Sequence, residues 1–504
     1  MAFNSYLFLL VFLPVVVALY RLSGARARLW VLVAASLAFF CWGAARALPV
    51  VVVSLAFNFA VSRLIVRDGR RARVWLWIGV AANVAVLVGV KYGAFLADGF
   101  AAALGRPALL GPVLLPLGLS FYSFQQIAFL VDTARGRFAP APALTYAASI
   151  LFFPTIVSGP ITYYREFAPQ AEAGPAPGKG AEDITVGLVL LAIGLFKKSV
   201  IADTMALWVD PAFGAAASGH APGVVLAWGM VLGFLLQMYF DFSGYSDMAL
   251  GVARMLGIRL PLNFLSPLRV VNIAEWWRRW HMSLGRFVNE YVFQSLALPL
   301  TRHAMGRGLG RWGVHVEAVL VPTALSMFII GAWHGGAWTF IVFGLLHATY
   351  MVVAEVWRFT RGRKPKGPQP SRHALAGNAL TLLAVLVALA PFRAADMATT
   401  VRIWAGMAGM GGASWPIAIP GGGAMAGAEI LVGLLICWCL PASSRLLEAW
   451  EPALEWARWR KVGPALVEWR WAPTVGWGLA VGAFLTAGLV FISRGSSSFV
   501  YMGF

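Results

Sequence analysis

Gln237-Met238-Tyr239-Phe240-Asp241-Phe242-Ser243-Gly244-Tyr245-Ser246-Asp247, Glu275-Trp276-Trp277-Arg278-Arg279-Trp280-His281 and Gly331-Ala332-Trp333-His334-Gly335-Gly336-Ala337-Trp338 carry most of the chemically versatile side chains of this 504-residue chain. Apolar runs flank all three segments. Histidines, aspartates and paired arginines set among tryptophans are costly inside a bilayer unless they face a protein interior or a water-filled cavity. The three segments therefore predict a buried reaction chamber, with the rest of the chain as its wall.

Composition agrees. Hydrophobic residues make up 60% of the chain and charged residues 12%, where soluble domains carry roughly 25% charged residues. Apolar runs of about twenty residues, the length that spans a bilayer core, recur from end to end. The net charge of +19 sits in short loops between these runs, as the positive-inside bias requires, and leaves no contiguous basic domain for nucleic acid. Cys41, Cys437 and Cys439 all fall in apolar segments and read as small buried hydrophobes.

The sequence predicts an all-α, polytopic integral membrane protein with about eleven or twelve transmembrane helices plus re-entrant and interfacial helices. Met1 to Tyr20 reads as a retained first span, since it lacks a basic leader and a small-residue cleavage site. Further spans are expected at roughly 29–44, 47–62, 74–96, 142–158, 184–196, 223–241, 316–333, 337–357, 374–392, 427–442 and 472–493. Pro112 to Val131, with Pro116, Gly118 and the polar Gln125 and Gln126, suits a half-helix or re-entrant segment. Arg445 to Arg470 alternates Trp, Leu, Glu and Arg as an amphipathic interfacial helix would. Arg21 to Arg28, the five arginines of Arg63 to Arg73, and Arg358 to Arg372 mark cytoplasmic loops. Twelve spans then put both termini outside, and Lys197 and Lys198 read as a cytoplasmic edge. The absence of an internal repeat weakens a transporter or channel reading built on inverted halves.

His334 stands between two long apolar runs. The glycines around it thin the backbone, either for a close approach of substrate or for tight helix packing. An imidazole has the right unperturbed pKa to accept a proton near neutrality. Around His281, Ile273, Trp276, Trp277, Trp280, Leu284 and Phe287 form one apolar stripe of an interfacial helix. Arg278 and Arg279 lie off the stripe, where they could hold the phosphates of an anionic donor. Asp241 and Asp247 either orient a histidine or pair with Arg254, Arg278 or Arg279. His303 and His315 stand beside basic loops and read as solvated, and His347 as a packed histidine. No metal spacing, nucleophile elbow or phosphate-binding loop is present.

Taken together, Tyr239 to Asp247, Asn263-Phe264, Trp277-Arg278-Arg279-Trp280-His281-Met282-Ser283-Leu284 and Trp333-His334-Gly335 resemble the motifs of the membrane-bound O-acyltransferases. The likeness is greatest to the bacterial branch typified by the alginate O-acetylation membrane protein, with the teichoic-acid D-alanyl transfer proteins more distant. Phe124 to Asp132, Phe153-Pro154, Ser158-Gly159-Pro160, Phe392-Arg393-Ala394 and Phe499-Val500-Tyr501 support it. It covers roughly residues 5 to 504, which implies one membrane-embedded domain over 1–504 with its central motifs in 237–345. In one departure, Asn289-Glu290-Tyr291-Val292-Phe293-Gln294-Ser295 stands where alginate-branch relatives run Arg-Asp-Tyr, a short apolar piece and a double glycine.

The resemblance implies that the family's paired histidines are His281 and His334, with His334 catalytic in a central tunnel. It adds Trp333, Tyr245 and Asn263 to Arg278, Arg279, Asp241 and Asp247 as residues expected to bind donor or substrate. It implies an acyl thioester donor (acetyl-CoA or an acyl carrier) as substrate, with no bound cofactor or metal. The acceptor would be an exported cell-envelope polysaccharide, or a periplasmic acetyltransferase- or esterase-like partner; a lipid or teichoic-type acceptor is the alternative. The expected location is the bacterial inner membrane, multi-pass and in contact with lipid, with both termini periplasmic.

Overall fold

A computed structural model describes residues 1–106, 116–362, 371–411, 422–460, 462, 466–493 and 499. Among these residues the regular secondary structure is helical throughout. The N-terminal third comprises α1 (Phe8–Leu22), α2 (Ala25–Ala44), α3 (Leu48–Arg67), α4 (Ala72–Ala103), α5 (Leu119–Ala134), α6 (Ala143–Leu151) and α7 (Tyr164–Ala173). The centre holds α8 (Gly180–Phe196), α9 (Asp203–Ala217) and α10 (Val224–Met255), followed by the short α11 (Ile273–Arg279), α12 (Met282–Phe287), α13 (Gln294–Gly306) and α14 (Arg311–His315). The last part holds α15 (Val321–His334), α16 (Trp338–Arg361), α17 (Ser371–Arg393), α18 (Met397–Met407), α19 (Gly422–Cys439), α20 (Ser443–Leu446) and α21 (Val475–Ile492).

Nine helical stretches among the described residues are long and apolar enough to cross a membrane. One of them, Ala25–Arg67, is 43 residues long, about 65 Å if straight. It breaks at Ala44 (φ −150°, ψ 40°) into α2 and α3. Large apolar side chains such as Leu10, Leu22, Trp30, Val53 and Trp77 are exposed, as a lipid-facing surface requires. The chain is a multi-pass membrane protein.

Glycines set the middle of the bundle. α8, the π-turn Lys197–Ala202 and α9 form one 38-residue rod packed along α10. A Cβ on Gly187 would sit 2.6 Å from the Gly251 carbonyl, and one on Gly251 2.5 Å from that of Gly187. Gly194 and Gly244 repeat the arrangement seven residues along each helix, at 2.5 and 2.7 Å. Two backbones touch here, the close approach that small residues permit where lipid offers no hydrophobic drive between helices. Gly331 of α15 and Gly344 of α16 pin a second pair in the same way.

Three expectations differ from the structure. The span at 142–158 is the nine-residue α6 followed by buried irregular backbone through Pro160. Gly118 locks α5 onto that backbone, with φ +73° and room for no Cβ, which would lie 2.3 Å from the Ile156 carbonyl oxygen. The short span at 184–196 is part of the 38-residue rod. Arg445 to Arg470 is not one amphipathic helix among its described residues. Glu451 (φ +44°) and Glu455 (φ +53°) break it, and Leu454 N–H donates to the Leu260 carbonyl, tying it to the segment after α10. Residues 112–115 of the expected re-entrant piece, 363–370 of the basic loop, and Val500 and Tyr501 lie outside the described residues.

Replacing Gly194 with Val is expected to lower the detergent-solubilised protein's stability by about 1–3 kcal/mol through overpacking. Gly89→Val, with nothing within 4 Å of the new Cβ, should leave the thermal midpoint unchanged; thermal unfolding of both variants checks this.

Candidate active site

The rod and α10 bring opposite charges together at depth. Lys198 is wholly buried, and its ammonium lies 2.6 Å from Asp241 and 2.8 Å from Asp203. Lys197 donates to Asp247 at 2.6 Å and to Ser443 Oγ at 2.9 Å. The two lysines are thus interior counter-ions of the aspartates, in the place of the arginine partners expected for them. Arg254 pairs with Glu182 and Asp183, each at 2.9 Å. Buried pairs are costly to break, because one uncompensated charge stays behind.

His281 occupies a left-handed position (φ +44°, ψ 52°) between α11 and α12, uncommon for a residue other than glycine. Asn263 holds it there. The Asn263 carbonyl oxygen accepts from Met282 N–H at 2.9 Å, and its side-chain Oδ1 accepts from Ser283 Oγ at 2.6 Å. Asn263 Nδ2 donates to Ser246 Oγ, which fixes the amide's orientation. His281 Nδ1, 3.4 Å from the same Oδ1, then donates, leaving the lone pair of a neutral ring on Nε2.

His334 ends α15, whose last carbonyls need donors. Lys91 of α4 supplies one, its ammonium 2.5 Å from the Trp333 carbonyl, and the Tyr92 hydroxyl donates to the Ala332 carbonyl. The glycines serve packing: Gly331 meets Gly344, Gly335 meets the Phe340 ring, and Gly336 meets the Lys91 carbonyl. They do not open a path to the imidazole. His334 instead faces Phe392, Phe343 and Trp333, with ring centroids 4.7, 5.8 and 4.8 Å away.

His281, His334 and His347 line one cavity of about 30 Å³, walled by Trp276, Trp277, Trp280, Phe343 and Phe392. That is about the share of one liquid water. A second cavity of about 720 Å³ lies beyond it, lined by Arg278, Met282, Arg286, Ile330, Glu355, Arg358 and Arg458 among others. Among the described residues, Trp277 is the one lining residue common to both. Where the resemblance implies one central tunnel, the structure shows two cavities that share Trp277 in their linings.

Of the residues singled out in the sequence, His281 and His334 line one chamber, Asn263 supports His281, and Trp333 is tilted against both imidazoles, 4.8 Å from His334 and 6.1 Å from His281. Arg278 lines the large cavity, with no carboxylate partner among the described residues. Arg279 instead pairs with Glu275 and lines neither cavity. Asp241 and Asp247 are in the lysine pairs. Tyr245 stacks on Phe3 at 5.0 Å and meets Phe499 edge-on at 4.8 Å, in aromatic packing away from both rooms. His315 is buried rather than solvated, stacked on Phe359 at 3.8 Å. Sequence reasoning passed over Lys91 and gave His347 only a packing role. A lone lysine within an apolar span was the available signal for the first.

The departure at Asn289 to Ser295 has a structural use. Glu290 pairs with Arg165 and Arg137, and the Tyr291 hydroxyl donates to Asp132 at 3.0 Å. Burial would raise the Glu290 pKa, but the two arginines outweigh it and hold the carboxyl below its usual value. Arg165 and Arg286 both stack on the Tyr163 ring, at 4.4 and 4.2 Å from its centroid. The segment thus fastens α12 and its continuation to α5 and α7.

Comparison with known proteins gives the class. Residues 126–389 match the model of MBOAT, the membrane-bound O-acyltransferase family. The chain is 33% identical to the peptidoglycan O-acetyltransferase of Helicobacter pylori, over 82% of this chain and 80% of that one. It is also 33% identical to the "probable alginate O-acetylase" of Azotobacter vinelandii, over 82% and 79%. A teichoic acid D-alanyltransferase of Streptococcus thermophilus is 26% identical over 50% of this chain and 61% of its own. The chain belongs to the membrane-bound O-acyltransferase family and is a membrane O-acyltransferase; the transporter reading is set aside.

Asp241→Asn, which weakens the pairing of a fully buried lysine, is expected to cost about 3–5 kcal/mol. Glu455→Gln, in the exposed pair with Arg458, should cost about 0–1 kcal/mol. Denaturant unfolding in detergent, followed by tryptophan fluorescence, compares the two.

Proposed function

We propose that this chain transfers an acetyl group from a cytoplasmic thioester donor to a hydroxyl of an exported cell-envelope polysaccharide, directly or through a periplasmic partner. The observation that carries the reading is the adjacency of the rooms: a small chamber with three imidazoles, beside a large cavity whose wall bears Arg278. The peptidoglycan and alginate activities named for the relatives support acetyl as the group and a glycan as the acceptor. Acetyl-CoA or an acyl carrier supplies the thioester, and Arg278 meets its phosphate.

Sidedness supports the direction. Arg21 pairs with Asp183, Asp183 with Arg254, and Arg254 donates to the Glu451 carbonyl, close to the Leu454 to Trp459 edge of the large cavity. The large cavity thus shares an end of the bundle with the basic N-terminal loop, the cytoplasmic end by the positive-inside bias. This supports a reading in which the protein sits in the inner membrane with both termini periplasmic.

In the transfer, a nitrogen of His334 takes the proton of the acceptor hydroxyl as its oxygen bonds the acyl carbon. The carbon–sulfur bond breaks, and the imidazolium proton passes to the departing thiolate. His281, its Nδ1 committed to Asn263, lines the same chamber. A narrow apolar room supplies orientation and keeps water from the thioester.

His334→Ala is expected to lower transfer of labelled acetyl from acetyl-CoA to glycan by about 10²–10⁴-fold in proteoliposomes; transfer at the parent rate would refute the catalytic role. Arg278→Ala should raise the KM for acetyl-CoA about tenfold, the loss of one charge-assisted contact, with kcat little changed. Steady-state kinetics with varied donor resolves the two parameters.

A further inference from the structure

His347 has no part in the transfer steps above, yet it is buried, lines the chamber, and accepts a hydrogen bond from the side chain standing between the rooms. Trp277 Nε1–H donates to His347 Nδ1 at 3.3 Å, and the two rings meet edge to face with centroids 5.1 Å apart. We propose that Trp277 is a stopper between the donor cavity and the histidine chamber, and that His347 is the positioning residue that holds it shut. The donor side of this inference rests on the function proposed above; the stopper itself rests on geometry alone.

Volume makes the argument. The chamber, at about 30 Å³, seats about one water, less than an acetyl group needs alongside an acceptor hydroxyl. The neighbouring cavity, at about 720 Å³, has ample room for a thioester arm. For the acyl carbon to come within reach of His334, the shared indole must leave its place. The large cavity, which Trp277 also lines, offers it space to swing into. The backbone around it suits such a motion: α11 is only seven residues long and ends two residues before the left-handed His281.

The hydrogen bond sets the resting position. With Nδ1 as acceptor, a neutral His347 carries its proton on Nε2. The ring is itself held, edge-on to Phe343 at 4.6 Å and to Tyr350 at 5.7 Å. A rigid acceptor on α16 thus holds a rotatable donor on α11. Donor entry would displace the indole, and its return would shield the chamber between turnovers.

The test reads access and needs no turnover. In a chain with Cys41, Cys437 and Cys439 changed to Ala, Leu389→Cys places a thiol on the chamber wall. A quaternary-ammonium methanethiosulfonate reagent, applied to protein in detergent, should label it slowly. Adding His347→Phe, which removes the acceptor, should speed labelling at least tenfold. His347→Asn, whose Oδ1 can accept at the place of Nδ1, should restore the slow rate. Trp277→Phe, which keeps a ring but loses the donor, should label as fast as His347→Phe and stands in if that variant does not fold. Labelling unchanged by either Phe substitution, or already fast with both residues intact, would overturn the stopper. Thioester hydrolysis by the His347→Phe variant without acceptor is measured separately. Fast labelling with no hydrolysis of acetyl-CoA would leave the stopper standing and count against the donor.

Discussion

Backbone touching backbone, at Gly187 with Gly251 and at Gly194 with Gly244, is the constraint on which the interior depends. A side chain at any of the four would part the rod α8–α9 from α10. The charges of Lys197 and Lys198 reach Asp247 and Asp241 because the two helices lie so close. Paired, those ions can stay inside a membrane protein; separated, each would be a buried charge without compensation. The rod also departs from α-helix, in the π-turn Lys197–Ala202 that contains both lysines.

From that centre the site is assembled by short pieces. α11 and α12 are too short to cross anything, and their places are set by neighbours: Asn263 from the segment after α10, Glu166 pairing with Arg286, and Glu290 with the arginines of α5's exit and α7. His334 arrives by a different route, on the end of a long helix whose last carbonyls are met by Lys91 and Tyr92. The chamber forms where a braced loop and a capped helix end face each other, with His347 one helix further on. The acyltransferase class gives this meeting its chemistry, and Trp277 lines both the chamber and the larger cavity.

How much of this was legible beforehand follows from the kind of signal each feature leaves. Hydropathy and sparse charge declare the membrane class outright, because a bilayer imposes composition directly. The pairing of His281 with His334 was readable from motif resemblance, not from spacing, since the residues lie 53 positions apart and no local period links them. Lys197 and Lys198 misled because a lysine pair after an apolar run looks the same at a membrane edge as beside two buried aspartates. The 142–158 run is apolar for the interior of the protein and not for lipid, a distinction hydropathy cannot draw. His347 sits on a plain helix with ordinary neighbours, so only the crossing of α15 and α16 reveals what it faces.

The separation between paired and unpaired cations has a practical reach. The lysine–aspartate pairs lie beyond the access of dissolved ions, so their attraction is barely screened. Arg278 looks into an open cavity and meets no carboxylate among the described residues, so counter-ions compete for it freely. Raising the ionic strength should loosen the proposed grip of Arg278 on a charged donor while leaving the architecture untouched, so salt becomes a throttle on flux with no bearing on survival of the fold.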